Sequence, residues 1–180
     1  MYKFHIRGYA VLSTAITCFA VLAAFNALSM FWLNNKAVLS TFTATPHIHS
    51  QHHYGSIQHI LLFNFNISLD LTPEFNWNTK QVYVYVQAEY EFPSGNPHKS
   101  IVWNRIVTRQ DADVTSRYDD VSRWNLDIEE SSEFPIWIPK QSLSSPIKLT
   151  LFWEISPYSG LLYRRRADSS LEVSLSEMSF

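Results

Sequence analysis

Five of the chain's seven histidines fall close together, at His47, His49, His52, His53 and His59. Imidazoles at this spacing can converge on zinc or copper, which take neutral ring nitrogens as ligands. The same group would gather positive charge at mildly acidic pH. No Cys, Asp or Glu lies among them, and residues 46–56 read as a polar loop, a poor scaffold for a rigid ligand set. These features favour a histidine-rich loop over a metal site.

Other chemistry is sparser still. A Ser-His-Asp triad is defined by geometry, so the many serines, these histidines and Asp70 neither exclude one nor point to one. Glycine occurs only at positions 8, 55, 95 and 160, too widely spread for a dinucleotide fingerprint, a P-loop or a nucleophile elbow. Asp111-x-Asp113 begins like a calcium loop, but Ser116 and Ser122 stand where that loop needs Gly and its final Glu. Arg164-Arg165-Arg166 could grip an anionic partner or a lipid surface, yet reads more simply as a solvated turn. No cofactor, metal ion, nucleic acid or small-molecule substrate is expected.

The 180 residues carry a net charge of −2, and that near-neutral average hides two phases. Residues 1–36 hold three basic and no acidic side chains, and residues 37–180 hold eleven basic and sixteen acidic ones. Between Gly8 and Asn35 there is no charge at all, and residues 9–33 are almost wholly apolar or small. As a helix that stretch is about 37 Å long, enough to cross a bilayer. Tyr2, Phe4, Tyr9, Phe31 and Trp32 mark its ends as interfacial aromatics do. Lys3, Arg7 and the terminal amine precede it and Lys36 alone follows closely, which predicts a cytosolic N-terminus. A cleavable signal peptide cut after Ala27-Leu28-Ser29 is the competing reading, but the apolar run exceeds the roughly 7–15 residues of a typical signal core. The expected organisation is a cytosolic 1–8, a transmembrane signal anchor 9–33 and a lumenal domain 37–180.

Cys18, the sole cysteine, lies inside the anchor, so the lumenal domain folds without disulfides and must rely on its core. Asn66-Ile67-Ser68 is an N-glycosylation sequon on that side. From Leu61 to Thr72 apolar and polar residues alternate, the period of a half-buried strand, with Asn66 on the polar face. Residues 82–90 alternate again, and Pro93 to Pro97 turn the chain into a returning strand over 100–108. Ile147 to Ile155, Leu171 to Leu175 and a segment within 37–45 complete the strand set. Residues 111–133, with eight acidic and two basic side chains, read as a solvated loop with room for one short helix. Short strands without a long amphipathic helix predict an all-β sandwich.

Specific words in the chain then carry a resemblance. The run from Phe75-Asn76-Trp77-Asn78-Thr79-Lys80-Gln81-Val82 through Tyr83-Val84-Tyr85-Val86-Gln87-Ala88-Glu89-Tyr90 resembles the signature segment of the signal peptidase complex subunit 3 (22/23 kDa subunit) family. Val102-Trp103-Asn104-Arg105-Ile106-Val107 and Leu149-Thr150-Leu151-Phe152-Trp153-Glu154-Ile155-Ser156-Pro157 agree in the same order. The resemblance spans residues 1 to about 162. It implies a single-pass type II protein of the endoplasmic reticulum membrane, an accessory subunit whose lumenal sandwich holds the catalytic subunit in place. Catalytic serine, histidine and aspartate belong to another chain in that family, so no enzyme site is expected here. Partners would be the catalytic subunit, the other subunits and the bilayer.

Two departures accompany it. Glycosylated relatives often carry a sequon just before the strand that here begins Pro146-Ile147-Lys148, where this chain has no Asn, and the 47–59 histidines lie outside the family pattern. Because interface cores are rich in aromatics, Phe75, Trp77, Tyr83 and Tyr85 are the partner-interface candidates. The same residues could equally serve the sandwich core; Tyr83 and Tyr85 fall on the strand face opposite Val82 and Val84. Two other classes compete: a membrane-anchored β-sandwich for binding or adhesion, and a metal-dependent enzyme built on the histidines.

Overall fold

A computed structural model describes residues 2–32, 36–53, 56–91, 95–111, 123–138 and 146–174. It opens with helix α1 (Tyr2–Trp32), whose 3–29 stretch is long and apolar enough to cross a membrane. The helix is apolar around its whole circumference and exposed along most of its length, unlike the one-sided stripe of a helix packed on a soluble core. Some of its hydroxyls turn inward on their own backbone. Thr14 and Thr17 donate to the carbonyls of Ala10 and Ser13, each at 2.8 Å, the internal pairing that a hydroxyl in hydrocarbon would need.

Among the described residues eight strands follow: β1 (Val38–His53), β2 (Ser56–Asp70), β3 (Thr79–Glu91), β4 (Pro97–Thr108), β5 (Asn125–Ser131), β6 (Ile136–Ile138), β7 (Ile147–Pro157) and β8 (Tyr163–Val173). They form two antiparallel sheets. One runs β1-β2-β5, with β6 also paired to β2, and the other runs β4-β3-β7-β8. The chain visits the sheets in pairs, two strands in the first, two in the second, then again. Alternate residues of each sheet meet in one shared core, with Leu61, Phe63, Phe65, Ile67 and Leu69 facing Val82, Val84, Val86, Leu149, Leu151 and Trp153. The all-β sandwich behind an apolar N-terminal helix is therefore as the alternation predicted.

Three local expectations are corrected. Residues 46–53 are strand, because β1 continues to His53 in register with β2; Pro46 is tolerated there since β1 is an edge strand. Residues 125–131 are strand β5, because Leu126 and Ile128 in that acidic segment face Leu69 and Ile67 of β2. A single turn of 3-10 helix occupies Arg109–Asp111, and residues 112–122 lie outside the described residues. Arg164–Arg166 sit on β8 and not in a turn, paired with β7 from Phe152 to Glu154.

The crossover from β2 to β3 is held by a buried carboxylate. Glu74 is only 2% exposed, and its Oε1 accepts from Ala37 N (3.1 Å), from Trp153 Nε1 (3.1 Å) and from Arg165 Nε (3.2 Å). One residue thereby ties together the chain just after the helix, a central strand and an edge strand. Arg109 reinforces the same crossover by donating from Nε to the Thr79 carbonyl at 2.7 Å and from Nη2 to the Asn76 carbonyl. On the opposite edge Glu130 of β5 receives Trp103 Nε1 at 3.1 Å and Arg105 Nη1 at 2.7 Å, clasping the two sheets together.

Candidate partner interface

Strand alternation gives the β4-β3-β7-β8 sheet two faces, and the register decides what stands beside what on the outer one. Tyr83 pairs with Ile106 on one side and Glu154 on the other; Tyr85 pairs with Asn104 and Phe152. The rings follow from that register. Tyr83 and Tyr85 stack with centroids 5.2 Å apart, and Tyr85 and Phe152 stack at 5.5 Å with 17° between planes.

Arg164 of β8 closes the row. Its guanidinium lies 5.4 Å from the Phe152 centroid and 5.9 Å from that of Tyr85, a cation–π arrangement. Its Nε is paired to Glu154 Oε1 at 2.9 Å, and the same oxygen accepts Tyr85 OH at 3.1 Å. Burial pushes the Tyr85 phenol up to about 12, helped by the hydrogen bond to Glu154 and by that carboxylate's charge. Tyr83 is raised as well, by burial first and then by Glu154 and Glu133. Ile106 and Ile101 extend the apolar surface and are exposed.

The four aromatic candidates separate into two kinds. Phe75 is buried, stacked on Trp124 at 4.6 Å and 11°, where it closes the core beneath the crossover. Tyr85 is buried on the outer face by its own neighbours. Tyr83 is half-buried and Trp77 is exposed. Phe152, Ile106 and Arg164 were not among the candidates. Phe152 had a readable signal, an aromatic among Lys148, Thr150 and Glu154 on the polar face of its strand. Glu74 had none, since nothing in Thr72-Pro73-Glu74 distinguishes a buried carboxylate from a solvated one.

Asn66 is exposed on the outer face of the other sheet, between Thr43 and Glu129, and Ser68 of its sequon donates to Asp127 Oδ1. The histidines lie along the β1–β2 hairpin, with backbone register setting His49 opposite Ile60 and His59 opposite Ser50. His47 Nε2 lies 3.0 Å from Asn64 Nδ2. Among the described residues, no group of three or more His, Cys, Asp or Glu side chains is placed to hold a metal ion.

An apolar helix leading into a two-sheet β-domain with an aromatic outer face defines a class: helix-anchored β-sandwich proteins whose distinctive surface is a sheet face. Comparison with known proteins narrows it. A family model described as "Signal peptidase subunit" matches residues 1–178, and the chain belongs to that family. It is 28% identical to signal peptidase complex subunit 3 of Debaryomyces hansenii, over 98% of this chain and 95% of that protein. It is 26% identical to the subunit of that name from Saccharomyces cerevisiae, covering 90% of each chain. The Drosophila melanogaster subunit 3 is 28% identical over 87% of this chain and 84% of its own length.

Proposed function

We propose that the chain is a non-catalytic accessory subunit of the endoplasmic reticulum signal peptidase complex, supporting removal of signal peptides by stabilising the catalytic subunit. Family membership supports the complex. The stacked row Tyr83–Tyr85–Phe152 with exposed Ile106 on one sheet face is the observation that carries the mode of action. A flat, pre-stacked aromatic surface loses little side-chain entropy on docking and gives a partner a rigid wall. Such a wall accelerates a reaction it does not touch by restricting the catalytic domain to its productive geometry, since a misplacement of about 1 Å can cost a hundredfold in rate. Tyr83 supplies accessible contact area and Trp77 a second exposed ring nearer the helix, Tyr85 holds the row in shape by stacking between Tyr83 and Phe152, and Phe75 serves the core beneath the crossover.

Residues 9–33 form the uncleaved signal anchor of a single-pass type II protein, with 1–8 cytosolic and 37–180 lumenal; Lys3 and Arg7 before the apolar run support that orientation. Asn66 carries the glycan, and a glycosidase-sensitive mass shift lost in Asn66→Gln checks it. For the function itself the test is copurification in mild detergent together with depletion. The catalytic signal peptidase subunit is expected among the copurifying membrane proteins, and precursors are expected to accumulate uncleaved when the chain is depleted. Its absence from the copurifying set, or normal cleavage after depletion, overturns the reading.

A further inference from the structure

The β7–β8 connection presents a cluster of large apolar side chains that the sandwich does not cover: Tyr158 is 63% exposed, Leu161 83% and Leu162 68%, beside Trp77 at 57%. The cluster is rigidly built. Tyr158 N donates to the Asn78 carbonyl at 2.8 Å, Asn78 Nδ2 to the Ser159 carbonyl at 2.8 Å, and Ser159 N to Asn78 Oδ1 at 3.1 Å. Buried Asn78 thus locks the loop to the turn that carries Trp77. The loop in turn meets the helix. Gly160, at φ +115°, lies so close to α1 that a Cβ there would come within 3.3 Å of Ala27 Cβ. Asn26, Ala27 and Ser29 are half-buried, whereas residues 16–25 are exposed.

Depth follows from that contact. A hydrocarbon core of about 30 Å takes about 20 helical residues, and the apolar stretch 9–33 offers 25. However the helix slides within that margin, Ala27 stays within about two turns of the lumenal boundary of the core. A loop pinned to Ala27 shares its level. We infer that residues 158–162 and Trp77 form a membrane-seating surface that inserts into the headgroup and acyl boundary of the lumenal leaflet. Tyr and Trp suit that zone by offering an apolar ring with a polar edge, and the two leucines reach past them. Seating the loop sets the height and tilt of the sandwich over the bilayer, and therefore the height at which its aromatic sheet face is offered.

This inference rests on the reading of α1 as a membrane anchor, and the test separates the two. The full-length chain, assembled with its complex in lipid nanodiscs and carrying Cys18→Ser, is labelled with an environment-sensitive fluorophore in turn at Leu161→Cys, Leu12→Cys and Thr43→Cys. Nitroxide lipids quench at shallow or deep positions. The label at 161 is expected to be blue-shifted and quenched several-fold more than at 43, most strongly by shallow nitroxides, and the label at 12, near the cytosolic end of the anchor, to be quenched as well. A label at 161 exposed to water overturns the seating surface, as does one that is blue-shifted but unquenched, which would mark a protein partner in place of lipid. Either result with 12 still quenched leaves the anchor standing, whereas an unquenched label at 12 removes the anchor and the seating surface together.

Discussion

At the scale of single residues, the chain's architecture depends on polar side chains in apolar surroundings. Glu74 serves three donors from three sites in the chain with one oxygen, so its removal leaves Trp153 Nε1 unpaired and the mostly buried Arg165 without its carboxylate. Breaking a buried pair from one side typically costs about 3–5 kcal/mol. Glu74→Ala should therefore lower the melting temperature of the full-length chain by about 6–20 °C, read by thermal denaturation. Tyr85 has an alkaline signature. Its folded value of about 12 lies above the ordinary 10.0, so the folded state favours the neutral phenol. The stability it contributes is whole below pH 10 and is lost as the pH rises through 12. Ultraviolet titration of phenolate should show several late-ionising tyrosines, of which the component near 12 is absent in Tyr85→Phe, and that variant should lose less stability between pH 10 and 12. Neither role was legible beforehand. Periodicity reports which face a residue occupies, whereas the partners of Glu74 lie 37 or more positions away in sequence.

At the scale of elements, the two faces of β3, β4 and β7 make opposite predictions. Leu151 is fully buried in the core, and Leu151→Ala should cost about 2–5 kcal/mol by the usual core truncation penalty. Ile106→Glu on the outer face should leave thermal stability nearly unchanged, yet reduce recovery of the catalytic subunit in pull-downs. Equal recovery by this variant and the parent chain would remove that face from the interface. Alternation alone supplied this division of faces. It did not supply the irregularities. The β3–β4 register shifts between Val86 and Gln87, so that neighbours Val102 and Trp103 both point into the core. The β7–β8 register shifts again between Thr150 and Phe152, which brings Arg164, rather than Arg166 two places on, opposite Glu154 at the end of the aromatic row. A bulge adds a residue to one strand in answer to its neighbour, and a strand read by itself carries no trace of that neighbour. The same blindness made the histidine segment look like a loop and 125–131 like a solvated acidic stretch, because each is strand by virtue of pairing with β2.

For the molecule as a whole, orientation and seating decide what the sandwich can reach. Lys3 and Arg7 precede the apolar run, so Lys3→Glu with Arg7→Glu should place a measurable fraction of molecules with the β-domain on the wrong side of the membrane. Protease protection of sealed microsomes reads that fraction, and an unchanged protected fragment would show that these two charges do not set the topology. The apolar run, the absence of charge from Gly8 to Asn35, the strand alternation and the scarcity of glycine motifs are properties of consecutive residues. They depend on the periods of helix and strand and on the cost of moving charge into hydrocarbon, so they determined the long apolar N-terminal helix, the all-β class and the exclusion of nucleotide-binding motifs. Which strands are neighbours, which carboxylate gathers Arg165 and Trp153, and which loop lies against Ala27 are properties of residues brought together from far apart. Only the packed tertiary structure decided these, because every such contact is a choice among distant partners that the local pattern leaves equally available.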